Sequence, residues 1–433
     1  MKSNHVAFAI IISLGTVALI VFDDILRNVL RKAKDEMRTI PMEFSFDDLP
    51  LKCKYLFRNN DLEIERARVR MLKDVRVGPS IDHGAYSVMT QNCTEFKRHR
   101  NYILNVTREE EEFPIAFSVL MYRNVEQFER LLRAVYRPHN YYCVHVDSKT
   151  SGVIRDAVSN IVNCFPNIFL SSSSVDVRWG EFSVLEPELV CIRDLLKHNR
   201  KWKYFINLTG QEFPLKTNYQ LVKILRAYSG ANDVSATVSR IFENAYRWWL
   251  AGPPPADIRP VKGAVHIIAN RHFVDYAVHH PVAHDLLQWV KKTKVPDETF
   301  FATLNHNPQL RIPGSYQGEP ETDPITKPFL ARYKVWDKGL FFFLDDCQGK
   351  YVRHICIFGV GDLHRLVQRK HLFANKFQLD FEPLVLDCME EWYFNMTHDE
   401  HLGKLDFDDR YYRNLGFVKN QVPLSPTSYR ALL

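Results

Sequence analysis

Residues 113–433 of the sequence predict an α/β fold, a mostly parallel sheet flanked by helices. Three observations predict it. With 46% hydrophobic and 25% charged residues the composition is globular, which excludes a disordered, collagen-like or coiled-coil chain. The length, 433 residues, suffices for a sizeable buried core. From Phe113 onward, short apolar runs of strand length alternate with amphipathic runs of helix length, the pattern of parallel strands joined by helices.

The elements follow in order. After a tail of residues 1–5, Val6 to Phe22 carries no charge, and only Ser13, Gly15 and Thr16 interrupt its apolarity. About 17–25 such residues span a bilayer, so 6–22 is expected to be a transmembrane signal-anchor. A cleavable signal peptide would want small residues before the cut, and Val17–Phe22 is a poor site. A buried helix is the third reading. Lys2 and His5 precede the run but Arg27, Arg31, Lys32 and Lys34 follow it, so a literal positive-inside count would keep the bulk cytosolic. Residues 23–112 are charge-rich with helix-like stretches (Leu26–Arg38, Asp61–Val75) and no motif, and read as a stem. Strands are then expected at Pro114–Leu120, Tyr141–Val146, Ile168–Leu170 and Lys203–Leu208, with helices at Val125–Tyr136, Val153–Cys164 and Ser183–His198. Sheets of this kind bind ligands beyond the carboxyl ends of their strands. Met121-Tyr122-Arg123, His145-Val146-Asp147 and Thr209-Gly210-Gln211-Glu212 are therefore the first places to look.

Composition and motifs exclude several functions. A net charge of +6 spread over 57 basic and 51 acidic residues is too dilute to argue for nucleic acid, which is not an expected partner. No Gly-x-Ser-x-Gly, P-loop or Gly-x-Gly-x-x-Gly motif occurs, which removes the best support for a serine hydrolase, a P-loop NTPase or a Rossmann dehydrogenase. Asp406-Phe407-Asp408 matches Asp-x-Asp but lies far along the chain from any nucleotide-binding strand, and the histidines lack His-x-x-x-His spacing with an acid. No metal is expected.

The eight cysteines, Cys53, Cys93, Cys143, Cys164, Cys191, Cys347, Cys356 and Cys388, include no Cys-x-x-Cys pair. An even count beside an N-terminal apolar run reads as four disulfides in an oxidising compartment. Cys347 and Cys356 are the most local pair, and spacing leaves the rest open. Sequons stand at Asn92, Asn105, Asn207 and Asn395; Asn207, inside a strand-like run, is expected to be packed, leaving Asn92, Asn105 and Asn395 as glycosylation sites. Cysteines and sequons together place the bulk in the lumen, against the literal charge count.

Candidate chemistry rests on few residues. Asp147 closes a strand, where a carboxylate grips a ribose or uracil edge or, more plainly, caps a turn. Glu298, in Pro296-Asp297-Glu298, is expected in the first turn of a helix, where the dipole keeps it ionised and able to take a proton from a sugar hydroxyl. Arg353 and Lys376 are basic residues that could converge on a diphosphate, although most lone cations are solvated surface groups.

Five stretches carry a resemblance: Leu131–Asp147, Trp202–Thr217, Pro296–Glu298, Ile355–Leu363 and His371–Phe377. In this order they resemble glycosyltransferase family 14, the core 2 and I-branching β-1,6-N-acetylglucosaminyltransferases, with xylosyltransferases as more distant relatives. The resemblance covers about two thirds of the chain. It implies a single GT-A-like catalytic domain in a type II Golgi membrane protein, UDP-GlcNAc as donor, a glycan or glycoprotein acceptor, inversion, and no metal cofactor. Glu298 falls at the catalytic base, Arg353 and Lys376 at the two cations that replace a metal, and Asp147 at the nucleotide-binding aspartate. Tyr122 and Trp179 fall near the donor, Trp179 standing where relatives have tyrosine. Glu243, Arg247 and Trp336 fall in the acceptor pocket, where Lys338 replaces a usual aromatic. The resemblance also implies the bridges Cys53–Cys388, Cys93–Cys164, Cys143–Cys191 and Cys347–Cys356.

The expected reaction is GlcNAc transfer to a primary hydroxyl, forming β-1,6 branches on O-glycans. The alternatives are a UDP-xylose-using enzyme and an inactive Golgi glycan-binding homologue. A glycoside hydrolase needs two carboxylates facing one bond, and none stand out beside Asp297 and Glu298, which as neighbours point apart.

Overall fold

The computed structural model describes residues 51–72, 81–199, 201–239, 244–337 and 347–425. The anchor at 6–22, the stretch Leu26–Arg38, Glu243 and Lys338 lie outside them. Among the described residues no helix is long and apolar enough to cross a membrane.

Apolar runs bounded by turn residues become strands here because both faces of the sheet are covered. β1 (Ile115–Met121), β2 (Tyr141–Val146), β3 (Ile168–Leu170) and β4 (Tyr204–Thr209) pair in parallel, in the order β3-β2-β1-β4. Their positions match the sequence expectations to within a residue or two. The expectation that the sheet is mostly parallel needs one correction. β5 (Glu212–Pro214) leaves the sheet, β6 (Asp233–Val234) takes its far edge, and β7 (Ile267–Asn270) inserts antiparallel to both β4 and β6, making the sheet mixed. β7 reads as an unbroken apolar run, so sequence alone cannot give its direction.

The helices Val125–Val135 and Gly152–Asn163 form one apolar layer with Phe117, Tyr142 and Ile206; Glu186–His198, Arg271–His279 and Pro281–Val290 form the other with Ala116, Phe205 and Ile267. Alternation along β1 and β4 sends neighbouring residues to opposite layers.

A second, smaller ladder lies beside the sheet. β5 pairs with β10 (Phe373–Asn375), and β8 (Lys350–Val352) with β9 (Ile355–Ile357). The extended segment 331–336 joins them: Tyr333 N–H donates to Phe373 C=O (2.8 Å), and Cys356 N–H donates to Val335 C=O (2.9 Å).

The chain from Lys52 onward forms one compact unit. The described parts of 52–112, within the segment 23–112 expected as stem, therefore pack with the sheet, and Tyr86, Phe96 and Tyr102 join its core. All four implied bridges are present, Cys53–Cys388, Cys93–Cys164, Cys143–Cys191 and Cys347–Cys356. Asn207 is buried, donating to Glu188 and to Val265 C=O and accepting from Ile267 N–H, whereas Asn92, Asn105 and Asn395 are exposed.

Candidate active site

The carboxyl ends of β1 and β2 hold the first group of residues. Asp147 follows β2 and is almost buried; its carboxylate accepts from Lys149 N–H (2.9 Å) and lies 3.2 Å from Lys149 Nζ. Part of its capacity thus closes a local turn. Thr150 Oγ1 donates to Tyr122 C=O (3.1 Å), tying that turn to the end of β1. Tyr122 is half exposed, and the Arg123 guanidinium lies 5.5 Å from its ring centroid.

Lys376 follows β10. Burial lowers its ammonium pKa, and the positive charges of Arg123 and Arg353 lower it further, with Glu212 opposing. Lys376 and Arg353 therefore share one electrostatic neighbourhood with Arg123, a third cation the sequence reading did not single out. Among the described residues none of the three has an acidic ion-pair partner. Arg353 sits in the two-residue turn between β8 and β9, where Arg353 (φ 52°) and His354 (φ 63°) are both left-handed.

Glu298 belongs to a different constellation. The helix expected from Pro296 is instead a single 3-10 turn, Pro296–Glu298, followed by the short helix Phe300–Asn305. Val295 precedes it at φ 51°, a position costly for a β-branched residue, and is held by its N–H donating to Gly180 C=O (3.0 Å). That bond sets exposed Trp179 beside the turn. On the other side Gly263 N–H donates to Glu298 C=O (2.7 Å). A Cβ at Gly263 would fall 2.4 Å from Ser235 C=O, so glycine alone lets the two chains approach.

Arg247 Nη2 lies 2.9 Å from Glu298 Oε2 and Lys262 Nζ 3.8 Å from the same oxygen. Arg247 Nε and Nη1 are buried without a partner, and its guanidinium also faces Tyr246 (5.4 Å). Asp297 points away into the protein; burial, then the charge of Glu298, raises its pKa to about 7.

Glu298 and Lys262 line a cleft of about 580 Å³. The opposite wall is the segment 331–336, in which Arg332, Lys334 and Trp336 share a strand face by their spacing of two. Arg332 is buried and donates to Glu212 (2.6 Å), and His266 Nε2 lies 2.6 Å from the same carboxylate. Trp336 is half exposed. Glu298 and Trp336 thus line one cleft and Arg247 pairs with Glu298 from behind it, while Glu243 lies outside the described residues. Asp147, Tyr122, Arg353 and Lys376 do not line this cleft. Sequence reasoning missed Lys262, Arg332 and Lys334; alternation in Ala331-Arg332-Tyr333-Lys334-Val335-Trp336 was the available signal.

The Asp-x-Asp stretch faces solvent, with Asp408 paired to Arg410 and Asp409 to Arg413 (2.6 Å each). Cys347, Cys356 and Asp362 lie close together, but both sulfurs are held in a disulfide and offer no thiolate.

The Core-2/I-Branching enzyme profile matches residues 115–367, more than half of the chain and every strand of the main sheet. The chain belongs to the Core-2/I-Branching enzyme family. A rat protein named beta-1,3-galactosyl-O-glycosyl-glycoprotein beta-1,6-N-acetylglucosaminyltransferase 3 is 35% identical over 370 residues, 80% of this chain and 84% of its own length. The human protein of that name is 34% identical over 81% of this chain and 85% of its own. A bovine herpesvirus 4 protein, named without the final numeral, is 34% identical over 79% and 82%. Membership makes the chain a glycosyltransferase.

Proposed function

We propose that the protein transfers GlcNAc from UDP-GlcNAc to a primary hydroxyl of an O-linked glycan, forming a β-1,6 branch with inversion and without a metal. One observation carries the reading: the Glu298 carboxylate on the rim of a cleft opposite a half-exposed tryptophan, in a chain of this family. Glu298 accepts the hydroxyl proton as the acceptor oxygen attacks the anomeric carbon, and UDP leaves from the opposite face. Arg247, on Oε2, fixes the carboxylate and leaves Oε1 for the proton. Arg353 and Lys376, joined by Arg123, stabilise the charge that grows on the departing diphosphate; fixed cations suit that task because they need no reorganisation during the step. Tyr122, Asp147 and Trp179 hold the nucleotide in a GT-A-like domain.

Positioned base catalysis is worth about 10²–10⁴-fold, so Glu298→Gln should lose turnover by that factor while binding UDP nearly as well. UDP release from UDP-GlcNAc with a core 1 acceptor, in excess EDTA, measures both claims. Near-normal turnover of the variant would remove Glu298 from the role. Loss of wild-type activity in EDTA would reject the metal-free account, and UDP-xylose as the better donor would reassign the sugar.

We also read the chain as a Golgi type II membrane protein with a lumenal catalytic unit. Four disulfides and three exposed sequons support this. A mass shift on removal of N-glycans from protein made in animal cells tests it.

A further inference from the structure

The cleft beside Glu298 holds more positive charge than its own carboxylates can answer. Five cationic side chains line it, Lys262, Arg332, Lys334, Arg369 and Lys370, against two acids, Glu298 and Asp323. Both acids are already engaged. Glu298 is taken by Arg247 at 2.9 Å, with Lys262 more distant. Asp323 accepts from Ile325 N–H, Thr326 N–H and the Thr326 hydroxyl. Glu212, behind the wall, is paired with Arg332 at 2.6 Å.

Lys334 is left over. It is half-buried, and among the described residues its ammonium has neither a carboxylate at ion-pair distance nor a hydrogen-bond acceptor. Its one marked contact is aromatic, Nζ lying 5.9 Å from the centroid of the Trp336 ring. A sugar stacked on that half-exposed ring would carry its substituents past the ammonium. Solvated surface lysines need no partner, but a lysine enclosed beside other cations carries a desolvation cost. Burial, with Arg332 and Lys262, pulls the Lys334 pKa down to about 8 against the more distant charges of Glu212 and Glu298, so the group still carries its charge at pH 7.

We propose that the preferred acceptor bears an acidic substituent, a carboxylate or a sulfate, paired with Lys334 while its sugar ring stacks on Trp336. This rests on the transferase reading above. The donor diphosphate is the other anion available, but Arg353 and Lys376 do not line this cleft.

The test compares the core 1 disaccharide in three forms, neutral, sialylated and sulfated, using the full-length protein with UDP-GlcNAc. We expect kcat/KM for an acidic form to exceed the neutral one at least tenfold at low salt, and the ratio to fall as salt screens the pair. Lys334→Met should collapse the ratio towards one by raising KM for the acidic form, and Lys334→Arg should restore most of it. Whichever acidic form leads distinguishes carboxylate from sulfate. A neutral acceptor used as well or better, a ratio unmoved by Lys334→Met, or a loss appearing in UDP affinity instead would overturn the proposal. Binding of the three glycans by saturation-transfer NMR gives the same comparison without turnover. Absence of transfer to any acceptor would sink the transferase reading, whereas transfer with neutral preference would sink only this one. If Lys334→Met fails to fold, the wild-type ratio and its salt dependence still decide.

Discussion

Glu188 shows how a single buried carboxyl supports the sheet beneath the site. It is fully enclosed, with Ser118 Oγ and Asn207 Nδ2 donating to its two oxygens, and Asn207 also bonds the strand β7. Burial raises its pKa to about 7 despite those donors and Arg332. The sign follows from the direction. The folded protein holds a proton that the unfolded chain has released between about pH 4.5 and 7, so this contribution to stability is full below 4.5 and lost as pH rises through 7. Glu188→Gln stays neutral throughout and escapes that loss. Urea unfolding of both proteins should therefore show the variant gaining on the wild type from pH 4.5 to 8, by about 3 kcal/mol. Comparing the pair cancels titration elsewhere; a constant difference across that range would mean Glu188 is ionised in the fold.

At the scale of elements, the β8–β9 hairpin sets local preference against function. Val352 pairs with Ile355, so Arg353 and His354 alone make the turn, both with positive φ. Such a type I′ turn favours Asn-Gly, and each L-residue there is strained by about 1 kcal/mol. His354→Gly should raise stability by about 0.5 to 1 kcal/mol and leave UDP affinity unchanged, because the backbone bond from Asp337 N–H to His354 C=O (2.9 Å) survives. Arg353→Gly should stabilise similarly but weaken UDP binding tenfold or more. Calorimetric melting and UDP titration separate the two; equal UDP affinity in both variants would take Arg353 out of the diphosphate site. This turn also shows where the sequence was silent. The strand at 355 was legible from its apolar run, but a turn that violates residue preference gives no local signal. The Glu298 turn was hidden similarly: Pro296 announced a helix start, yet Val295 at φ 51° and the shortness of the turn come from tertiary bonds to Gly180 and Gly263. Parallel strands β1 to β4 were readable because local apolar periodicity decides them, whereas β7 takes its direction from the chain returning across the sheet.

Across the whole molecule, the disulfides decide how much of the chain folds as one body. Cys93–Cys164 and Cys53–Cys388 both begin in the stretch 52–112, whose helices and aromatics pack on the α/β core although their sequence carries no motif. Charge-rich helices with a narrow apolar stripe look like a stem from sequence alone; only the partners that cover the stripe reveal otherwise. Cys53–Cys388 closes the longest span, a separation of 335 residues, and joins the short helix Cys53–Leu56 to the helix Pro383–His401. Arg130 and Arg133 pair with Glu390 on that second helix (2.8 and 2.6 Å), and Gln127 Nε2 donates to Phe377 C=O (2.9 Å), next to Lys376. The bridge thus braces an element whose neighbours carry a proposed donor cation. The chain-entropy model gives about 5 kcal/mol for a loop of this length, the top of the measured range. Replacing both cysteines by serine should therefore lower the melting temperature by about 6 °C. Activity measured below the new transition should change little, because Gln127 and the arginine pairs still hold Lys376 and the helix in place. A variant that melts normally would show that residues 52–56 add no constraint beyond the noncovalent packing, and one that stays folded but binds UDP poorly would show that the bridge itself sets the position of Lys376.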